Sequence, residues 1–290
     1  DPTPWPPELP AGQNPPPGPI LDYYLPQAAQ GPVTVEILRG TKVVRHYSSA
    51  DNPTGPTPAE DVAAYNELCK QNPALPDCGL PLYWPARPMR ISTNAGEHRI
   101  WWDLHYDAVT AGGGGGEGAT GAVPHRTYAV PNSPLAPPGV YSVRLTVDGH
   151  SYTQPLTLKM DPWVKTPAAG LDQLYALTNE MYDGAVATHK AYEAARTALA
   201  NTSDAQLKSE ILALAPNPAP RGRGFFFGFG GPPAPPSLSS ASTAELQAAM
   251  AMQGADETPT VTEAAACAHA RAEAAAVMAK WTALKAKLPQ

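Results

Sequence analysis

Few residues of this chain have a type and spacing that could do chemistry. Its seven histidines, His46, His98, His105, His125, His150, His189 and His269, show no HxxxH or HExxH spacing and no cysteine partner, so no metal pattern is legible. Asp103 and Asp107 could form part of a site. A carboxylate on the open face of a strand ordinarily serves as a solvated or hydrogen-bonded group, however, and that reading is adopted. No GxSxG serine elbow occurs. The five glycines Gly112–Gly116 lack the following helix and the Lys-Ser/Thr pair of a phosphate cradle, and read as linker. No catalytic, cofactor-binding or metal-binding residue is assigned, and the chain is read as non-catalytic.

The cysteines carry more information. Cys69 and Cys78 enclose KQNPALPD, a proline-rich stretch with no core of its own, where a local staple would supply order. They are read as a disulfide, which implies an oxidising compartment, periplasmic or extracellular. Cys267 sits in an alanine run and reads as a small buried apolar residue.

The charge balance excludes one class of partner. Net charge is −6, with 11 basic against 15 acidic residues through Lys165 and 9 against 11 beyond it. Neither half has the basic excess that phosphate backbones require, so nucleic acid is not expected. No apolar run reaches the roughly 20 residues of a membrane span. Without an apolar leader or an initiating Met, Asp1 reads as either a processed N-terminus or the edge of a fragment.

Proline dominates before residue 163 and again over 216–236, whereas alanine and leucine dominate 167–215 and 243–288. That shift reads as β followed by α. Residues 1–19 form an extended proline-rich arm. Short strands follow at Ile20–Leu25, Val33–Leu38 and Lys42–Tyr47, then a long insertion over 48–90 with a helical piece at 59–69, started by Thr57-Pro58. The strand Glu97–Tyr106 places Ile100, Trp102, Leu104 and Tyr106 inward and leaves Trp101 outward, in need of cover by the following helices. After a second insertion, 108–133, Tyr141, Val143, Leu145 and Val147 alternate with polar residues up to Asp148-Gly149. This dipeptide suits a type I′ hairpin turn, after which Leu156, Leu158 and Met160 face the same core. Residues 20–165 thus predict an immunoglobulin/fibronectin-III-like antiparallel β-sandwich.

Past Pro162 the period becomes helical. Leu171, Leu174, Thr178, Met181, Ala185, Thr188, Tyr192, Ala195 and Leu199 form one stripe of a long helix that begins at Thr166-Pro167. A second long helix, capped by Thr260 and Glu263, runs to Leu288 and is expected to lie antiparallel to the first as a helical hairpin. Shorter helices are predicted at 204–215 and, capped by Ser242 with Glu245, at 243–253. Residues 166–290 are therefore a helical domain with a Pro/Gly/Phe-rich insertion at 216–241. That insertion holds all four phenylalanines, Phe225, Phe226, Phe227 and Phe229, beside Arg221 and Arg223. Three readings stand: the loop plugs a gap against the helices, its phenylalanines anchor another protein or a lipid surface with the arginines at the rim, or it is a flexible low-complexity spacer.

Three segments, NPPPGPILDYYLPQAAQGPVTVEILRGTKVVRHYSS, GEHRIWWDLHYD and LAPPGVYSVRLTVDGHSYTQPLTLKMDP, resemble the region downstream of the β-propeller in bacterial secreted sortilin-like (VPS10, BNR-repeat) proteins often labelled glycosyl hydrolases. The Gly-x-His-Arg-x-x-Trp-Asp and Pro-Gly-x-Tyr elements are also similar to the immunoglobulin-like domain of flagellar hook-capping proteins. The resemblance implies a secreted or periplasmic sandwich followed by helices. It carries no active site, because the Ser-x-Asp-x-Gly-x-Thr-Trp box of the propeller is missing. The expected role is a protein-interaction or structural module, an accessory or stabilising subunit of a larger periplasmic or membrane-associated assembly. The alternative is a carbohydrate-binding or accessory fragment of a propeller enzyme, with Trp101 as the glycan contact.

Overall fold

The computed structural model describes residues 16, 18–52, 55–57, 60–72, 78, 82, 89–109, 133–217 and 235–288. They divide into two compact units, a β unit ending at Met160 and a helical unit from Asp161 onward that also takes in residues 108–109 and 133–134.

In chain order the β unit contains β1 (Ile20–Leu25), β2 (Thr34–Arg39), β3 (Lys42–Ser48), α1 (Val62–Gln71), β4 (Gly96–Trp101), β5 (Gly139–Val147) and β6 (His150–Leu158). These strands make two antiparallel sheets, β1-β4 and β3-β2-β5-β6. Alternation decides which side chains go inward. Tyr23 and Leu25 of β1, Val35 of β2 and Ile100 of β4 are buried in one cluster with Val33 and Ile91, and Val143, Leu145 and Val147 of β5 pack against it. The turn between β5 and β6 takes the expected form, with φ of 48° at Asp148 and 81° at Gly149. The Asp148 carboxylate also accepts from the N–H groups of Gln30 and Gly31 at 2.9 and 3.1 Å, so one residue shapes one turn and fastens another.

Three expectations for this unit need correction. The strand beginning near residue 97 ends at Trp101, not Tyr106: Leu104 adopts φ 64°, which breaks the period, and the chain is rejoined by a bridge from His105 to Leu135. Trp102 and Tyr106 are still buried. The insertion helix starts later than predicted, at Val62, because Asp61 caps it by accepting from the Ala64 N–H (2.9 Å). Leu156, Leu158 and Met160 are only half-buried, and Tyr152, on the inward side of β6, is exposed. The four-stranded sheet is wider than its two-stranded cover, and β6 lies at its edge. In a two-residue hairpin the pairs alternate outward from the bonded pair at the turn, so Pro155, opposite Ser142, points its missing N–H at the open edge. A proline there blunts pairing by another strand.

The helical unit contains α2 (Ala168–Asn201), α3 (Ala205–Leu214), α4 (Leu238–Ala251) and α5 (Val261–Lys285). Leu174, Thr178, Met181, Ala185, Thr188 and Ala195 of the predicted stripe are buried along α2. Thr260 and Glu263 form the predicted capping box of α5. The two long helices do not form an antiparallel hairpin. The last turns of α2, at Ala191 and Ala195, pack with the start of α4 and with Val277, Trp281 and Leu284 late in α5; Leu174 and Met181 pack with the end of α4 and with Cys267 and Ala270 early in α5. The three helices therefore run up, down and up, and α2 and α5 are parallel. The returning helix is α4, whose alanines and serines admit close neighbours on both sides. It begins five residues before the predicted start, capped by Ser237 with Ser240, and Ser242 and Glu245 lie inside it, both buried.

Candidate functional site

Asp103 and Asp107 are brought together with two residues that sequence reading did not select, Arg45 and Tyr47 of β3. The Arg45 guanidinium donates to Asp103 Oδ2 (3.2 Å) and to the Tyr106 carbonyl (3.0 Å), and lies 4.9 Å from the centre of the Tyr47 ring. Asp107 accepts from the His46 N–H (2.9 Å), while its own N–H donates to the Val44 carbonyl (2.8 Å). Burial pushes the Tyr47 phenol up to about 12 and raises the Asp107 carboxyl above the ordinary carboxylate range. The phenol is thus held protonated, the guanidinium is engaged, and each carboxylate is occupied by a donor. This arrangement fastens the segment after β4 to β3. The signal for it was present in the sequence: Arg45 and Tyr47 stand two apart on one strand face, a position where a cation needs a buried partner.

The insertion over 48–90 is closed by three separate ties. The Asn52 side-chain amide donates to the Ile91 carbonyl (2.7 Å), and its oxygen accepts from the Ile91 N–H (2.9 Å). Arg90 makes a two-pronged pair with Glu60, at 2.9 and 3.0 Å. Cys69 and Cys78 are joined by a disulfide, with Cα atoms 5.4 Å apart. The bond joins α1 to a stretch that lies beyond it in sequence, and closing so short a loop is worth about 2–3 kcal/mol of local order. Changing both cysteines to serine is expected to leave the main unfolding transition in place and to open residues 62–90 to protease. Limited proteolysis with mass mapping of the cleavage sites checks this, and unchanged cleavage would show that the other two ties suffice.

Trp101 lies on the outer face of the β1-β4 sheet, partly buried, opposite Ile20. Tyr24, 67 % exposed, occupies the far end of that face. Between them Arg99 grips Asp22 with two bonds of 2.8 and 3.0 Å. The guanidinium beside Asp22 holds its carboxyl below the usual range. The face therefore carries two aromatic side chains flanking a neutralised pair, with the exposed carboxylate of Glu97 opposite Tyr24.

Phe225, Phe226, Phe227, Phe229, Arg221 and Arg223 lie outside the described residues. Among the described residues no group of three or more histidine, cysteine, aspartate and glutamate side chains could hold a metal ion, and no helix is long and apolar enough to cross a membrane.

Fold and polar clusters together define a two-unit protein of antiparallel sheets and helices, in which the charged side chains of the β unit fasten loops. No protein-family model, curated protein or solved structure matches the chain.

Proposed function

We propose that this chain is a non-catalytic interaction module: an immunoglobulin-like sandwich followed by a helical unit, acting by protein contact as an accessory or stabilising subunit of a larger periplasmic or membrane-associated assembly. The observation that carries the proposal is the triple fastening of the 48–90 insertion. The described residues of this long insertion are tied by an amide clamp between Asn52 and Ile91, an ion pair between Glu60 and Arg90 and the Cys69–Cys78 disulfide, and a long insertion fastened in this way supports a role in recognition. The disulfide supports an oxidising compartment. The sandwich reading draws support from Tyr141, whose hydroxyl donates to the Pro137 carbonyl at 2.6 Å in the manner of a tyrosine corner. The test is gentle purification from the native source of the wild type, of Cys69→Ser/Cys78→Ser, and of a chain with Phe225, Phe226, Phe227 and Phe229 changed to serine. Loss of co-purifying proteins in either folded variant is expected. Full retention in both sinks the proposal.

A second reading, carbohydrate binding as part of a secreted propeller-type glycosyl hydrolase, is favoured by the Trp101–Tyr24 face. Aromatic rings take the C–H faces of sugars, and the Asp22–Arg99 pair with the neighbouring Glu97 carboxylate offers hydrogen-bonding groups for hydroxyls. Affinity electrophoresis in soluble β-glucan, mannan and xylan gels decides it: retardation abolished by Trp101→Ala supports the reading, and unretarded wild-type protein in all three gels dismisses it.

A further inference from the structure

The core of the helical unit holds a carboxylate. Glu245 of α4 is 3 % exposed and meets Thr188 of α2, itself 1 % exposed. The Thr188 hydroxyl oxygen lies 2.7 Å from Glu245 Oε2 and 2.6 Å from the Gly184 carbonyl. Both separations are those of good O–H···O bonds, yet a hydroxyl owns one hydrogen. Two bonds need two protons, and the carboxyl group is where the second can reside. With Glu245 neutral, its O–H donates to Thr188 and Thr188 donates to the Gly184 carbonyl, so each proton has an acceptor. With Glu245 ionised, Thr188 must turn its one hydrogen to the carboxylate, and two acceptor oxygens are left pressed together at 2.6 Å.

The surroundings agree. Gly184 has no side chain where the carboxyl lies; a Cβ there would sit 2.2 Å from Oε1 and 2.8 Å from Cδ. The charged neighbour that bears on Glu245 is Glu180 of α2, of the same sign, and Arg271 of α5 is committed to Glu180 at 2.7 Å. His189 of α2 lies 3.5 Å from Glu193, and Cys267 of α5 is a buried thiol pushed up by burial.

We propose that Glu245 is held as a neutral carboxylic acid in the α2–α4 seam, and that this proton keeps α4 docked, making the helical unit a pH-sensitive element that loosens as pH rises. Burial, the largest influence on this carboxyl, moves it above the ordinary glutamate range, and the like charge of Glu180 adds to it; the Thr188 hydroxyl lowers it only when it donates to the ionised form. The sign follows. Between the ordinary value and the raised one the native state binds a proton that the unfolded state does not, so stability is full below this window and is lost as pH climbs through it.

The test compares the whole chain with Glu245→Gln, which keeps shape and a donor for Thr188 but cannot ionise. Thermal unfolding is followed by far-ultraviolet circular dichroism. The wild-type helical transition is expected to fall by about 5 °C between about pH 5 and about pH 8, and Glu245→Gln to lose at least half of that dependence. Equal slopes in the two proteins overturn the proposal. Carboxyl-carbon NMR of glutamate-labelled wild-type protein gives a second readout that needs no stable variant under stress. The resonance missing from Glu245→Gln should titrate above the other glutamates, and titration in the ordinary carboxylate range overturns the proposal as well.

Discussion

Replacing Trp102 with alanine is expected to lower the stability of the β unit by about 3–5 kcal/mol, the largest single-residue loss available in it. Its side chain is the largest fully buried one among the described residues of the β unit, and it meets the Tyr141 ring edge-on with centroids 5.4 Å apart. Two costs add to the lost burial and the cavity. The indole N–H donates to the His105 carbonyl at 2.8 Å, so truncation leaves that carbonyl without its partner. The backbone is also committed here: the Trp102 N–H donates to the Pro19 carbonyl at 3.1 Å, and a Cβ on Gly18 would lie 2.0 Å from the Trp102 oxygen. With the chain pressed so closely on both sides, the site cannot collapse onto the vacated volume, which puts the loss at the upper end of the range. Trp102→Phe separates the contributions. It restores most of the packing but not the N–H bond, and should cost about 1–2 kcal/mol. Urea unfolding of the two variants, followed by circular dichroism, measures both. A Trp102→Ala midpoint close to that of the wild type would mean that the two sheets do not depend on this residue.

The same residue shows where the sequence was legible. Alternation along a strand reports which side chains face inward, and it placed Ile100, Trp102 and Tyr106 in the core correctly even though the strand stops at Trp101. Burial survived because the chain turns back at Leu104 and is held by the Arg45 contacts, and neither feature leaves a periodic mark. The hairpin turn at Asp148-Gly149 and the capping box at Thr260 were readable because each is set by residues within four positions of one another. The disulfide spans nine positions and is readable on another ground, the proline-rich stretch without a core of its own that the two cysteines enclose. What was not readable depends on distant partners. Ser242 and Glu245 have the spacing of a capping box, yet the same spacing occurs within a helix, and only the approach of Gly184, Ala185 and Thr188 from α2 reveals their use. The direction of α5 is hidden in the sequence on similar grounds. Periodicity counts helices and marks their buried stripes, but whether two long helices run parallel depends on whether a third returns the chain between them.

Gly184→Ala should therefore destabilise the helical unit, although on propensity alone it would stabilise the interior of α2 by about 1 kcal/mol. The added methyl would enter the volume of a buried carboxyl group, 2.2 Å from Oε1 and 3.2 Å from Oε2. A long surface glutamate could swing away; this one is enclosed between α2 and α4, and moving it breaks the Thr188 bond that satisfies it. Lost hydrogen bonding and overpacking outweigh the propensity gain and give a net loss of about 2 kcal/mol. A double-mutant cycle isolates the cause. If the carboxyl is the obstacle, Glu245→Ala opens the space the methyl needs, and Gly184→Ala in that background should become neutral or stabilising, a coupling of about 2 kcal/mol between the two sites. If Gly184→Ala costs as much with Glu245→Ala as without it, the two residues do not compete for one volume, and the packing of α4 on α2 has another determinant.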